Sequence, residues 1–100
     1  MQKWEGWILP KLFAVGKYVI FIWSNEIGEP IHVHVSISKI SPNATKIWLT
    51  EKGGCILANN KSKIPQNDLN KLLQIICDTH SDICKQWKIF FDTDDIKFYC

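Results

Sequence analysis

The sequence predicts an α+β domain: an antiparallel four- or five-stranded sheet packed against one long or broken C-terminal helix. Three observations carry this. Residues 31–38 (IHVHVSIS) alternate strictly between apolar and polar, the two-residue period of a strand with one face buried. Turn chemistry recurs at short intervals around it, as SNEIGEP, SPN and GG, which suits a meander. Over residues 69–91 the apolar positions fall at i, i+3, i+4 and i+7, the period of an amphipathic helix.

The elements follow in chain order. Residues 1–16 read as an N-terminal segment whose Trp4, Trp7, Ile8 and Leu9 can cover a sheet face. Residues 17–23 (KYVIFIW) are apolar on both faces, which calls for a strand covered on both sides, or covered on one side and meeting a partner on the other. After the SNEIGEP turn, Ile31, Val33, Val35 and Ile37 point one way, and His32, His34, Ser36 and Ser38 the other. The histidines are thus expected on the polar face of a half-buried strand. In residues 44–50 (ATKIWLT), Ile47 and Leu49 share one face, Lys46 and Trp48 the other; if the core faces coincide, Trp48 joins the histidines. Gly53-Gly54 reads as a hairpin turn into a short strand that closes a meander over residues 17–58. A helix over residues 66–91 opens after Pro65 with Asn67 or Asp68 as N-cap. Ser81 offers a cap for a second helix, so the stripe reads either as one continuous helix or as two broken near residues 79–81. The tail, residues 92–100, has an acidic turn and then IKFYC, a candidate edge strand.

One hundred residues with 46% apolar content make one domain with a single core. The net charge is only +2, and all twelve basic side chains are lysine. Lysine lacks arginine's planar fork for reading phosphates and guanine edges, which lowers the odds of base-specific DNA reading, but codon bias in a chain also rich in Ile and Asn is the favoured explanation. The start MQKWEGWILPKLF has no apolar stretch of signal-peptide length, because Pro10 interrupts it. No run is long enough to cross a bilayer, so a cytoplasmic location without a membrane partner is expected. Cys55, Cys77, Cys84 and Cys100 include no Cys-x-x-Cys pair and are expected as free, mostly buried thiols.

The stretches KYVIFIWSNEIGEPIHVHV and NATKIWLTEKGGCILANN, a helix ending in tryptophan, and a terminal FYC resemble a family of small bacterial proteins, domain of unknown function four-one-six-zero. Its broader members carry a Pro-Pro-His-x-His-Val core. Here Pro30-Ile31-His32-Val33-His34-Val35 keeps one proline and both histidines. The flank from Trp23 to Pro30 looks like a subgroup common in low-GC bacteria, and the resemblance covers residues 12–100. It implies a protein often encoded beside another small protein, some such pairs being described as toxin–antitoxin-like. No reaction is established for the family. Only the motif carries over: His32 and His34, with Asn25, Glu26 and Glu29 before them.

The chemistry of that motif has three readings. His32 and His34 leave one strand face with alpha carbons about 6.6 Å apart, so the pair is structural or contacts a partner, or binds metal, or is an acid–base pair. A zinc or other transition-metal site would take His32, His34 and Glu29 (or Glu26) as ligands and hold a water for hydrolysis. As catalytic groups without metal, one neutral and one protonated imidazole would serve as base and acid. Lys46 beside a phosphate and Trp48 under an unpaired base would then suit RNA cleavage.

The first reading leads. It makes the protein a non-enzymatic interaction component that needs no cofactor. Trp23, Asn25, Glu26, Glu29, Lys46 and Trp48 would form its binding face, and its partner would be a neighbouring gene's product or a second copy in a homodimer. The alternative is a histidine-dependent hydrolase or ribonuclease. His80, Cys77, Cys84 and Trp87 lie on the helix's apolar stripe and are expected in the core.

Overall fold

Five β-branched or aromatic runs pair in chain order into one antiparallel sheet. The computed structural model describes residues 11–23 and 28–100. Its elements are β1 (Lys11–Val15), β2 (Tyr18–Phe21), β3 (His32–Ile37), β4 (Thr45–Leu49), β5 (Cys55–Asn59), α1 (Gln66–Asp78) and α2 (His80–Phe91). The sheet order is β1-β2-β3-β4-β5, every neighbour antiparallel. Among the described residues no helix is long and apolar enough to cross a membrane.

The sheet thus has five strands, and β1 lies within the stretch read as an N-terminal segment. Gly16 makes it so: its φ of 57° is open to a residue without Cβ, and the tight Gly16-Lys17 turn folds β1 onto β2. The proposed cover by Trp4, Trp7, Ile8 and Leu9 lies outside the described residues.

The register sorts the side chains into two faces. Ile20 opposes Val35, and Val33 opposes Ile47. With Tyr18, Ile22, Ile31 and Leu49 they form the main core against Leu69, Leu72, Ile76, Ile83 and Trp87 of the helices. Each such aliphatic side chain contributes about 1.5–3 kcal/mol of burial. Both helices therefore cover the Ile31/Val33/Val35 face, while Ile37 at the strand end is 39% exposed.

The long apolar stripe breaks at Thr79, between α1 and α2. Ser81 is not the cap. The Thr79 hydroxyl instead donates back to the Ile75 carbonyl at 2.9 Å, and Thr79 itself sits at the N-cap of α2. Helix α1 begins at Gln66 with Pro65 as its N-cap, so neither Asn67 nor Asp68 caps it. Asp68 accepts the Tyr18 hydroxyl at 2.6 Å, fastening the first turn of α1 to β2. The tail after α2 forms no strand. It runs alongside the sheet, where the Lys97 carbonyl accepts from Ile31 N at 2.8 Å and the Cys100 carbonyl from Glu51 N at 2.9 Å.

A polar network fixes the return from β5 to α1. Asn60 Oδ1 accepts from the Thr45 hydroxyl at 2.7 Å and from Ile64 N at 3.0 Å, while its Nδ2 donates to the Ile64 carbonyl. Ser62 donates to the carbonyl oxygens of Val35 and Asn43. The fully buried Thr45 hydroxyl is thereby satisfied, as a buried polar group must be.

Candidate functional site

The two-residue period of β3 sets His32 and His34 off the Val33/Val35 row that packs in the main core, although Trp87 of that core still reaches the His32 ring. Antiparallel pairing then selects their neighbours. Trp48 of β4 is opposite His32 and Lys46 is opposite His34, while Phe21 of β2 flanks His34 on the other side. The rings pack closely. His32 and His34 meet edge to face with centroids 4.9 Å apart. His34 stacks on Phe21 at 5.5 Å and has Trp23 at 6.2 Å. His32 has Trp48 at 5.4 Å and Trp87 of α2 at 5.6 Å.

This overturns the expectation of a solvated histidine face. His32 is 0% exposed and His34 7%, because bulky rings from β2, β4 and α2 close over them. The signal was present in KYVIFIW: a strand apolar on both sides gives its cross-strand neighbours an apolar roof on both sides.

His32 Nδ1 lies 2.7 Å from the Pro30 carbonyl oxygen. A carbonyl only accepts, so Nδ1 carries the proton, and in the neutral ring Nε2 is the basic nitrogen. That is how ligand histidines are often oriented. Among the described residues, however, no three His, Cys, Asp or Glu side chains gather as a group able to hold a metal ion. The Glu29 carboxylate instead takes the Lys46 ammonium at 3.1 Å. Asn25 and Glu26 lie outside the described residues.

Beside His32, reached through Trp48, lies an aromatic platform. Trp48 stacks on Tyr99 with centroids 4.8 Å apart and planes 5° from parallel. Lys46 Nζ stands 4.2 Å from the Trp48 ring centroid, a cation–π contact. Ile56 of β5 is the cross-strand neighbour of Trp48. Tyr99 is 60% exposed and Ile56 42%. Sequence reasoning named Trp48 and Lys46 but missed Tyr99, Ile56, Phe21 and the inward reach of Trp87. Tyr99 belongs to the IKFYC stretch, and its place is set by the tail's backbone bonds at Lys97 and Cys100, which no local pattern announces.

His80 is a satisfied, half-buried histidine at the start of α2: its Nε2 donates to the Thr50 carbonyl at 2.7 Å, and its ring lies parallel to Phe98. Burial pushes the Cys84 thiol up, partly offset by Lys88. Neither residue joins the His32/His34 cluster.

Fold and site together define a small α+β domain built on a five-stranded meander with a buried His-x-His strand. The chain belongs to the family described as Domain of unknown function (DUF4160), which matches residues 18–88, from the start of β2 into α2. No curated protein and no solved structure matches the chain.

Proposed function

We propose that this domain is a protein-interaction module, a non-enzymatic component of a two-gene toxin–antitoxin-like pair. It docks the neighbouring gene's product on the platform of Trp48, Tyr99 and Ile56. The observation that carries this reading is the division of exposure at the site: Tyr99 is 60% exposed while His32 is 0% exposed. A general base must come within hydrogen-bond reach of its substrate, and these imidazoles are roofed by rings. Exposed, stacked aromatics beside an aliphatic side chain have the composition of an interface hot spot. The buried histidines hold that platform in place before a partner arrives, which lowers the ordering cost of binding.

Charge favours protein over RNA. Lys46, beside the platform, is paired with Glu29 at 3.1 Å and stands over the Trp48 ring, so a phosphate would have to compete with contacts that Lys46 already makes within the domain. Co-expression with the neighbouring gene and affinity purification of the pair is the test. The expected result is a stoichiometric complex that Ile56→Lys disrupts. A chain that arrests growth when expressed alone, relieved by a folded His34→Ala variant, would overturn this reading and establish the hydrolase or ribonuclease.

A further inference from the structure

Two half-buried sulfurs lie on the other face, away from the platform. Cys55 opens β5 opposite Leu49, and Cys77 is in the last turn of α1. Packing of α1 against β5 brings their Sγ atoms to 2.8 Å. That separation is longer than the roughly 2.05 Å of a disulfide bond and places one thiol as hydrogen-bond donor to the other. The other thiols are placed differently: Cys84 Sγ is 3.7 Å from His80 Nδ1, and Cys100 is exposed.

We propose that Cys55 and Cys77 are a thiol-oxidation site that closes to an intramolecular disulfide when the protein meets a small-molecule disulfide, tying β5 to α1. The exchange balances in two steps. One protein thiolate attacks the small disulfide, forming a mixed disulfide and releasing one small thiolate, which takes up a proton. The second protein thiolate then attacks the cysteine sulfur of the mixed disulfide and expels the second small thiolate. Two protein thiols lose two electrons and two protons, and the reagent becomes two thiols.

The local chemistry sets the pace. Burial, then contact with Cys77, pushes the Cys55 thiol up to about 12, and thiolate is the reactive form. Closure is therefore slow at neutral pH and faster as pH rises. The fold already holds the two sulfurs 2.8 Å apart, so the second exchange step is intramolecular between neighbouring groups.

The test uses the intact chain with oxidised glutathione at neutral and mildly alkaline pH, followed by intact-mass analysis and trypsin mapping. Lys52 and Lys61 bracket Cys55, whereas Lys71 and Lys85 bracket both Cys77 and Cys84, so Cys77→Ser and Cys84→Ser variants are run in parallel. The expected product has lost two hydrogens and joins peptide 53–61 to peptide 72–85. The link persists in Cys84→Ser and is absent in Cys77→Ser. Because the cysteines are separated by 22 positions, the cross-linked protein should melt on the order of 10 °C higher. Glutathione uptake at Cys100 with peptide 53–61 still unlinked would overturn the proposal. So would an equal yield of cross-link in Cys77→Ser.

Discussion

Replacing His32 with alanine separates a histidine that supports a surface from one that performs a reaction. The ring is 0% exposed and is bounded by His34, Trp48 and Trp87 at 4.9, 5.4 and 5.6 Å. Those rings come from β3, β4 and α2, so no single shift fills the space left behind. Large-to-small substitution at such a site costs about 2–5 kcal/mol. Loss of the Nδ1–H donor to the Pro30 carbonyl adds about 1 kcal/mol. The sum, about 3–6 kcal/mol, is a large part of the roughly 5–15 kcal/mol that holds a domain together. At about 4–8 °C per kcal/mol for a chain of this size, the melting temperature should fall by at least about 12 °C. Urea titration followed by tryptophan fluorescence reads the same loss as a lower midpoint with an unchanged slope. Catalytic side chains are commonly replaced with little loss, or even a gain, of stability. A His32→Ala protein as stable as wild type would refute the reasoning.

Three further outcomes follow from the same geometry. Glu29→Gln removes the partner of Lys46, but Glu29's side chain is 44% exposed, so stability should change by less than about 1 kcal/mol; a larger loss in urea titration would contradict this. Leu72→Ala, at 1% exposure between α1 and the sheet, should cost about 2–5 kcal/mol, read in the same titration. Alkaline stability should fall in a defined window. The hydrogen bond to Asp68, and then burial, raise the Tyr18 hydroxyl above its ordinary 10.0, and burial raises Cys55 from 9.0 to about 12. A raised pKa means the folded state holds the proton more tightly. These contributions are therefore present below pH 9.0 for Cys55 and 10.0 for Tyr18, and are lost as pH climbs through the folded values. Melting temperature against pH should decline there, less steeply in Tyr18→Phe and Cys55→Ser; parallel profiles would contradict the assignment.

What could be read in the sequence was what local periodicity encodes. The alternation of residues 31–37 gave β3 and its two faces, and the ATKIWLT pattern correctly put Trp48 beside the histidines. The helical stripe predicted the cover of the Ile31/Val33/Val35 face, whereas the break at Thr79 is only one of the two readings it allows and rested on Ser81, which is not the cap. What escaped was set by contacts distant in sequence. β1 is a strand only because the Gly16 turn delivers it to β2. The depth of His32 depends on Trp87, fifty-five positions away in the chain. Tyr99 reaches Trp48 through tail hydrogen bonds to Ile31 and Glu51. A polar residue type at an alternating position suggested solvent, and tertiary packing overrode it.

On the proposed reading the platform binds and His32, packed beside Trp48, supports it. Calorimetric titration of the purified domain with the neighbouring gene's product, wild type beside Tyr99→Ala, tests it most directly. Tyr99 is 60% exposed, so its removal should leave the melting temperature nearly unchanged. As a hot-spot side chain worth about 2 kcal/mol, its loss should weaken binding about thirtyfold. Unchanged affinity in a folded Tyr99→Ala protein would contradict the account.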